Sequence, residues 1–507
     1  MERLRRFLAQ RPLTWALFFG AFAAFGQAPV SQPVISVLCF CVFLLLHINT
    51  SSVRRAFLTG WAFGTGYFAT SLIWIVEPFL VDPVRHGWMA PFALLFMAAG
   101  LALFWAVAMA FSRWVNGDGL GAVLAWMFCL SAAELARSYV FSGFPWALIG
   151  HIWIGWSPMQ FAALIGAQGL TLISLAFAVL IYGVFQGLRW AMIASVMAAL
   201  VAAFVPSWLV KEPLTPPKNF TIRVVQPNAA QHLKWHPDHV LKFFERSLEL
   251  TASKASTSVN LVIWPETSVP ALLQNAGPAI ERINAAAGGV PVVFGIQRRD
   301  KARIFNSLVS LSASGEIQAI YDKHHLVPFG EYIPGGNFAA RFGIRAFAAQ
   351  EGFGYSAGPG PALLDLGPLG RALPLICYEA VFAQDVNAAP DRPDFLLQIT
   401  NDAWFGRWIG PYQHLAQARL RAVEQGVPLV RAANTGISGV INARGELVDS
   451  IPLNETGYLD FELPTARAPT FFSKTRDWPF LGLYLIVIIA LFWRRFQNPI
   501  DADKIQH

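Results

Sequence analysis

The chain has 507 residues, of which 55% are hydrophobic and only 14% are charged. Soluble globular proteins carry roughly 25% charged residues, so this composition argues against a wholly soluble protein and against a disordered one. The net charge of +7 comes with arginines that flank apolar segments, which favours a membrane protein over a nucleic-acid-binding one. We therefore expect no nucleic-acid partner.

Seven apolar segments precede residue 212, and each is a candidate membrane-spanning helix of about 20 residues. They cover residues 12–30, 33–48, 57–79, 88–112, 120–137, 158–186 and 190–210. An eighth segment covers residues 478–493. The predicted organisation is a seven-span domain (1–211), a second domain (218–470) and a C-terminal transmembrane helix (478–495).

Arginine residues predict the orientation of these segments, because short cytoplasmic loops are enriched in positive charge. Arginines precede the first segment and lie at the even-numbered exits, namely Arg54, Arg55, Arg113, Arg189, Arg494 and Arg495. The N-terminus is therefore expected in the cytoplasm. Residues 212–475 then lie on the outer face, and the C-terminus returns to the cytoplasm.

Residues 218–470 have a different pattern, in which short β-rich runs alternate with helical stretches. This alternation predicts a layered α/β domain. Helices are expected at 236–253, 278–287 and 411–425. Strands are expected at 220–225, 259–264, 290–295, 306–312, 317–321, 372–376, 395–400, 429–433 and 439–442.

Cys377 is the only one of the four cysteines that lies outside the apolar segments. It follows an apolar strand, and reactive groups of α/β sheets gather where strands end. A thiolate attacks acyl carbonyls well, but a free thiol needs a base or a nearby cation to ionise at neutral pH. Cys377 is thus a candidate nucleophile, and a buried structural thiol is the alternative.

Two further strand ends carry ionisable groups. Glu266 follows an apolar strand and could act as a general base, or it could be an ordinary surface carboxylate. Lys323 follows another strand and could stabilise an oxyanion and lower a thiol pKa. His324 and His325 come next, but adjacent histidines rarely bind one ion together and no third ligand is evident. No metal site is expected.

Together these motifs carry a specific resemblance. The strand ending in Trp264-Pro265-Glu266, the run from Tyr321 to Glu331 and Cys377-Tyr378-Glu379 resemble, in this order, the Glu-Lys-Cys triad of the nitrilase superfamily. With the apolar segments and the run Thr400–Gly406, nearly the whole chain resembles the bacterial apolipoprotein N-acyltransferases, which are membrane-bound members of that superfamily. The resemblance implies a multi-span helical domain and an extracytoplasmic α/β domain with the nitrilase-like αββα sandwich.

The resemblance also implies roles for individual residues. Glu266 would be the general base, Cys377 the nucleophile and Lys323 the oxyanion-stabilising group. Glu331 would support Lys323, and Tyr378 and Glu379 would support the nucleophile. Substrate contacts would fall to Trp235, Asn306 and Trp404. No cofactor is implied.

The implied reaction is a ping-pong acyl transfer through a thioester at Cys377. The donor would be a phospholipid, typically the sn-1 chain of phosphatidylethanolamine, and the acceptor the α-amine of the diacylglyceryl cysteine of an apolipoprotein. The enzyme would be a multi-pass protein of the bacterial inner membrane, with its catalytic domain facing the periplasm. Residues 342–353 are a candidate lid over the site.

Two other functions remain open on the sequence alone. The first is a membrane-anchored amidase or nitrilase that hydrolyses a small amide, because the triad would serve it equally well. The second is a transport or lipid-binding scaffold, although no inverted repeat supports it. Within the apolar part, Glu134 and Arg137 are expected to form a structural ion pair at i and i+3. Trp146 is expected to be an interfacial anchor.

Overall fold

A computed structural model describes residues 2–115, 119–209, 220–255, 257–334 and 354–497. The chain forms two compact units. One comprises Met1–Phe79, Pro83–Glu212 and Thr470–His507, and the other comprises Leu80–Asp82 and Pro213–Pro469. The domain boundaries at 211, 218 and 470 remain predictions. In chain order, the described α-helices are α1 (Glu2–Gln10), α2 (Pro12–Ala23), α3 (Pro33–Ile48), α4 (Val53–Ser71), α5 (Pro83–His86), α6 (Ala90–Val115), α7 (Gly119–Tyr139), α8 (Ala162–Phe185), α9 (Arg189–Leu209), α10 (Pro237–Ala252), α11 (Gly277–Ala287), α12 (Ala383–Asn387), α13 (Gly410–Gln425), α14 (Phe471–Thr475) and α15 (Trp478–Gln497).

Apolar helices occupy the segments predicted to span a membrane. Among the described residues, four are long and apolar enough to cross one, at Pro83–Val115, Gly119–Tyr139, Ser157–Phe185 and Trp478–Arg495. Three shorter ones lie at Pro12–Gly26, Pro33–Ile48 and Arg189–Val205. In the segment predicted at 57–79, α4 ends at Ser71 and a 3-10 segment containing Pro78 follows. The count of eight spans remains a prediction.

The Glu134–Arg137 pair forms as expected and is fully buried, with Arg137 Nε 3.0 Å from Glu134 Oε1. Arg137 Nη1 also donates to the backbone carbonyl of Trp146 at 2.8 Å, and Glu134 accepts from the backbone N–H of Ile149 at 2.9 Å. The pair therefore fixes the loop after α7. The expectation of an interfacial Trp146 was wrong: its side chain is fully buried and packs against Trp74, with 4.6 Å between ring centroids.

The second unit contains two six-stranded sheets. The nine predicted strands are present with ends shifted by a few residues, and the structure adds three strands, at Leu364–Asp365, Leu447–Ile451 and Gly457–Glu462. The strands are β1 (Thr221–Gln226), β2 (Val259–Ile263), β3 (Val292–Asp300), β4 (Arg303–Leu311), β5 (Ile317–Asp322), β6 (Leu364–Asp365), β7 (Arg371–Ile376), β8 (Phe395–Thr400), β9 (Leu429–Ala433), β10 (Ser438–Ile441), β11 (Leu447–Ile451) and β12 (Gly457–Glu462).

Each sheet has a parallel centre and antiparallel edges. The first has the order β12-β1-β2-β3-β4-β5 and the second β11-β10-β9-β8-β7-β6. Strands β1, β2 and β3 run parallel, as do β7, β8 and β9. Strands β1 and β8 are buried along their whole length, and their buried polar side chains, such as Arg223, Gln226 and Gln398, form hydrogen bonds.

Helices cover one face of each sheet and give the predicted αββα layers. Phe244 of α10 and Ile283 of α11 share a core with Trp264 and Phe294 of the first sheet. A second core joins α13 to the second sheet. The inner faces meet through buried polar contacts, for example Ser438 Oγ to Gln226 Oε1 at 2.5 Å. This layering brings the carboxyl ends of β2, β5 and β7 to one region.

Candidate active site

Three of the predicted site residues form one buried ion cluster. Lys323, directly after β5, is only 1% exposed, and its Nζ lies 2.8 Å from Glu331 Oε2 and 3.9 Å from Glu266 Oε1. Burial alone would lower the pKa of Lys323, but the negative charge of Glu331, and then that of Glu266, raise it above its ordinary value. Lys323 is therefore a fixed positive charge in a buried site.

Glu266 is held in place by donors to both of its carboxylate oxygens. Asn306 Nδ2 donates to Oε1 at 2.6 Å, and the backbone N–H of Asn401 donates to Oε2 at 2.8 Å. Asn306 Nδ2 also lies 3.3 Å from Glu331 Oε1. Asn306 thus bridges the two carboxylates, in addition to any contact with a substrate.

Cys377 begins the turn after β7 with a left-handed backbone, φ 53°, which is rare for a residue with a side chain. Its thiol is buried. Burial, and then the charge of Glu266, raise the pKa of Cys377, whereas Lys323 opposes this rise. The resting thiol is therefore protonated and requires a base when it attacks. Glu266 and Lys323 both act electrostatically on the Cys377 thiol. The three predicted triad residues therefore lie near one another.

Glu379 connects the Cys377 turn to the segment after β5. Its fully buried carboxylate accepts from the backbone N–H of Ile376 at 2.7 Å and of His324 at 2.8 Å. The Tyr321 hydroxyl donates to it at 3.0 Å. The neighbouring Tyr378 ring packs edge-on against His325, with 5.6 Å between centroids. Glu379 therefore ties together the backbone segments that carry Cys377 and Lys323.

The two adjacent histidines pair with carboxylates. His325 Nδ1 lies 2.7 Å from Asp385 Oδ2, and His324 Nδ1 lies 2.7 Å from Glu379 Oε1. Burial would lower the pKa of His324, but hydrogen bonds to Asp385 and Glu379 raise it to about 9. In the described part of the chain, no group of three or more His, Cys, Asp or Glu side chains could hold a metal ion.

Two protein-family models match this chain in different regions. The model described as carbon-nitrogen hydrolase matches residues 221–469, which include Glu266, Lys323 and Cys377. The model described as the apolipoprotein N-acyltransferase N-terminal domain matches residues 19–180.

Curated relatives match nearly the full length of the chain. Apolipoprotein N-acyltransferase of Caulobacter vibrioides is 37% identical over 493 residues, covering 93% of this chain and 92% of that protein. Apolipoprotein N-acyltransferase of Brucella melitensis is 34% identical over 502 residues, covering 94% of each. This chain belongs to the apolipoprotein N-acyltransferase family. Membership in this family supports neither of the two other functions that the sequence left open, the small-amide hydrolase and the non-enzymatic scaffold.

Among solved structures, an amidase from Nesterenkonia sp. is 19% identical to this chain, with a TM-score of 0.38. The match covers 53% of this chain and 98% of the amidase chain.

Trp235 lies beside a pocket that reaches Glu266. Its lining includes Lys234, Trp235, Phe243, Glu266, Thr267 and Asn434. Trp404 is half-buried in the turn after β8. The substrate-binding roles of Trp235 and Trp404 in this apolipoprotein N-acyltransferase family member remain predictions, and the candidate lid at 342–353 lies outside the described residues.

Sequence reasoning missed Lys234 in this pocket. Its Nζ donates to the backbone carbonyl of Glu266 at 3.1 Å and to Thr267 Oγ1 at 2.9 Å, and it lies 5.6 Å from the centre of the Trp235 ring. Burial lowers the pKa of Lys234 to about 8, although Glu266 and Cys377 oppose this shift. A lysine next to a tryptophan is common at protein surfaces, so the sequence alone carries no signal for this burial.

Also missed was a group of polar residues behind Cys377. Thr400 Oγ1 donates to Asp402 Oδ1 at 2.8 Å, and the same hydroxyl contacts the Cys377 thiol. Burial would raise the pKa of Asp402, but the charge of Arg431 lowers it below its ordinary value. In the sequence, only the motif Thr400–Gly406 indicated this group of buried polar residues.

Proposed function

We propose that this protein transfers a fatty acyl chain from a membrane phospholipid to the N-terminal amine of a diacylglyceryl cysteine during lipoprotein maturation. Its family supports N-acylation of lipoproteins, and its apolar helices support a membrane location for lipid substrates. The observation that carries the proposal is a buried lysine, Lys323, paired with Glu331 and Glu266 beside the Cys377 thiol.

In the first half-reaction, Glu266 removes the Cys377 thiol proton as sulfur attacks the ester carbonyl of the phospholipid. The carbonyl oxygen becomes an oxyanion, which Lys323 and the backbone N–H of Tyr378 stabilise. The C–O bond then breaks, and Glu266 returns the proton to the alcohol of the departing lysophospholipid. The product is a thioester at Cys377.

In the second half-reaction, Glu266 takes a proton from the ammonium group of the diacylglyceryl cysteine. Glu266 releases this proton to solvent. The free amine attacks the thioester, and Glu266 takes a second proton from the attacking nitrogen and passes it to the sulfur as the tetrahedral intermediate collapses. The C–S bond breaks, the amide forms, and the sulfur of Cys377 regains its proton. An amide is more stable than a thioester, so the transfer requires no cofactor.

The pocket beside Trp235 and the turn that carries Trp404 are the proposed substrate contacts. Asn306 is a third. Its Nδ2 donates to carboxylates, whereas its buried Oδ1 has no hydrogen-bond partner among the described residues. An acceptor oxygen near Glu266 suits the N–H groups of an incoming amine.

The proposed setting is the bacterial inner membrane, with residues 220–469 facing the periplasm. The positive charges beside the apolar helices support this orientation. Both substrates are lipids, so an enzyme anchored among apolar helices meets them at the membrane surface.

The purified protein in detergent, given phosphatidylethanolamine and a synthetic diacylglyceryl-cysteine peptide, should add one acyl chain to the peptide, detected by mass spectrometry. Cys377→Ala should abolish transfer, and Glu266→Gln should slow it by about 100- to 10,000-fold, the usual contribution of a general base. Glu281→Gln is the matched control, because Glu281 is an exposed carboxylate on α11.

A peptide that stays unmodified while free fatty acid accumulates would indicate a hydrolase and contradict the proposed transfer. Full activity of Cys377→Ala would contradict the assigned nucleophile. Equal losses in Glu266→Gln and Glu281→Gln would contradict the assigned base.

A further inference from the structure

Four fully buried polar residues surround the backbone carbonyl of Cys377. None of the four has a role in the reaction proposed above. They come from β8, the turn after it, α13 and β9. We call them the carbonyl clamp: Gln398, Asp402, His414 and Arg431, each 0% exposed.

Two members of the carbonyl clamp contact the Cys377 carbonyl oxygen directly. His414 Nε2 lies 3.0 Å from it, and Gln398 Nε2 donates to it at 3.1 Å. A carbonyl oxygen only accepts hydrogen bonds, so the proton of the His414 ring at this contact is on Nε2. The oxygen thus uses both lone pairs on buried donors.

The other two members orient these donors. Arg431 Nη1 donates to Gln398 Oε1. Because arginine only donates, Gln398 must turn its amide nitrogen towards Cys377. Arg431 Nη2 donates to Asp402 Oδ2 at 2.5 Å, which fixes the guanidinium group, and it lies 3.3 Å from Nδ1 of the His414 ring, which accepts when the ring proton is on Nε2. Buried networks with satisfied partners hold their members in one geometry.

The held carbonyl also determines the direction of the next backbone N–H. In a planar trans peptide, the C=O of one residue and the N–H of the next point in opposite directions. The Tyr378 N–H therefore points away from the carbonyl clamp. The left-handed φ of Cys377 is unfavourable for a residue with a side chain, so this peptide plane needs such support to keep its orientation.

We propose that the carbonyl clamp is a positioning device for acyl transfer: it fixes the Cys377–Tyr378 peptide so that the Tyr378 N–H meets the oxyanion. This proposal rests on the proposed function, in which Cys377 is the nucleophile. The clamp residues do not touch the substrate. They act through the backbone, and the energy of their buried hydrogen bonds offsets the strain at Cys377.

The test compares two reactions of the same thiol. Acylation by phosphatidylethanolamine passes through an oxyanion, whereas alkylation by iodoacetamide does not. His414→Leu removes one donor to the carbonyl and should slow acylation by about 100-fold, the usual effect of losing one oxyanion donor. The alkylation rate of Cys377 should not change. His414→Gln, which keeps an N–H near the position of Nε2, should restore most of the acylation rate.

Cys377→Ala gives the background for both reactions, and the melting temperature of each variant reports its folding. If His414→Leu does not fold, Gln398→Met removes the second donor and has the same expected results. Equal losses of acylation and alkylation would show a merely structural role and overturn the proposal. Unchanged acylation in folded variants would also overturn it. Wild type that is alkylated but never acylated would instead contradict the proposed function.

Discussion

Lys323 keeps its positive charge where burial alone would remove it. Glu331, 2.8 Å away, is the nearest carboxylate, and burial is the largest influence that opposes the charge. The two carboxylates of the cluster therefore have different tasks. In the proposed reaction, Glu266 exchanges protons with the substrates, and Glu331 keeps Lys323 protonated.

Glu331→Gln should shift the pH dependence of acylation towards acid. The substitution removes a negative charge beside a buried lysine, so the pKa of Lys323 should fall and the protonated form should be lost at lower pH. The rate of acylation by phosphatidylethanolamine, measured from pH 6 to pH 10, should begin to decline at the alkaline end in Glu331→Gln, whereas the decline due to Lys323 in wild type lies above this range. An alkaline limb at the wild-type position would contradict the assigned role of Glu331.

His324 predicts a pH dependence of stability. Its pKa is about 9 in the folded protein and 6.5 as an ordinary histidine, so the folded state binds this proton more tightly. The stabilisation is complete below about pH 6.5 and disappears as the pH rises through about 9. The melting temperature of wild type should exceed that of His324→Gln most at pH 6 and least at pH 10.

Exposed His232 provides the matched control, because His232→Gln removes an imidazole outside this cluster. The difference in melting temperature between wild type and His232→Gln should stay constant with pH. A constant difference for His324→Gln would mean that the pairing with Asp385 and Glu379 contributes nothing to stability.

At the scale of elements, the position of Glu266 depends on how closely β3 approaches the end of β2. A Cβ atom on Gly295 would lie 2.5 Å from the backbone nitrogen of Thr267 and 2.6 Å from the Cα of Glu266. Real Cβ atoms do not come this close to a backbone, so only glycine fits here.

Gly295→Ala should therefore displace Glu266 and slow acylation by at least about tenfold, because small shifts of a catalytic group are costly. Gly277→Ala is the control, because Gly277 is exposed and a Cβ there meets nothing within 4 Å. Equal acylation rates for the two variants would contradict this account of how β2 and β3 position the base.

Most strands could be predicted because they are short apolar runs that pack against helices. The three missed strands lack this signal. Strand β6 has only two residues, and β11 and β12 are edge strands with charged or exposed positions such as Asp449 and Asp460. Arg223 pairs with Asp460 at 2.7 Å, so part of the stability of β12 comes from an ion pair that no local pattern predicts.

The same reasoning explains which site residues the sequence could indicate. Glu266 and Cys377 each follow an apolar strand of a parallel pair, and the ends of parallel strands converge, whereas Lys323 follows the antiparallel edge strand β5. His414 and Arg431 lie inside a helix and a strand, where a buried polar residue has no local pattern of its own. The contact of His414 with the Cys377 carbonyl, and the bond from Arg431 to Gln398, become visible only in three dimensions.

At the scale of the whole molecule, the proposed function requires residues 220–469 on the outer face. The native cysteines are all buried, which favours a labelling experiment with a single introduced cysteine. Ser314→Cys, in an exposed turn of the second unit, should react with a membrane-impermeant maleimide in intact spheroplasts. Ser51→Cys, exposed before α4, should react only after the membrane is permeabilised. The reverse pattern would contradict the predicted orientation.

The acyl-enzyme at Cys377 is the central claim, and intact mass spectrometry tests it most directly. Wild type incubated with phosphatidylethanolamine and no acceptor should gain the mass of one fatty acyl chain, and neutral hydroxylamine should remove it, because a thioester is cleaved under these conditions. Cys377→Ala should gain no mass. A hydroxylamine-resistant adduct, or an equal adduct on Cys377→Ala, would contradict the account.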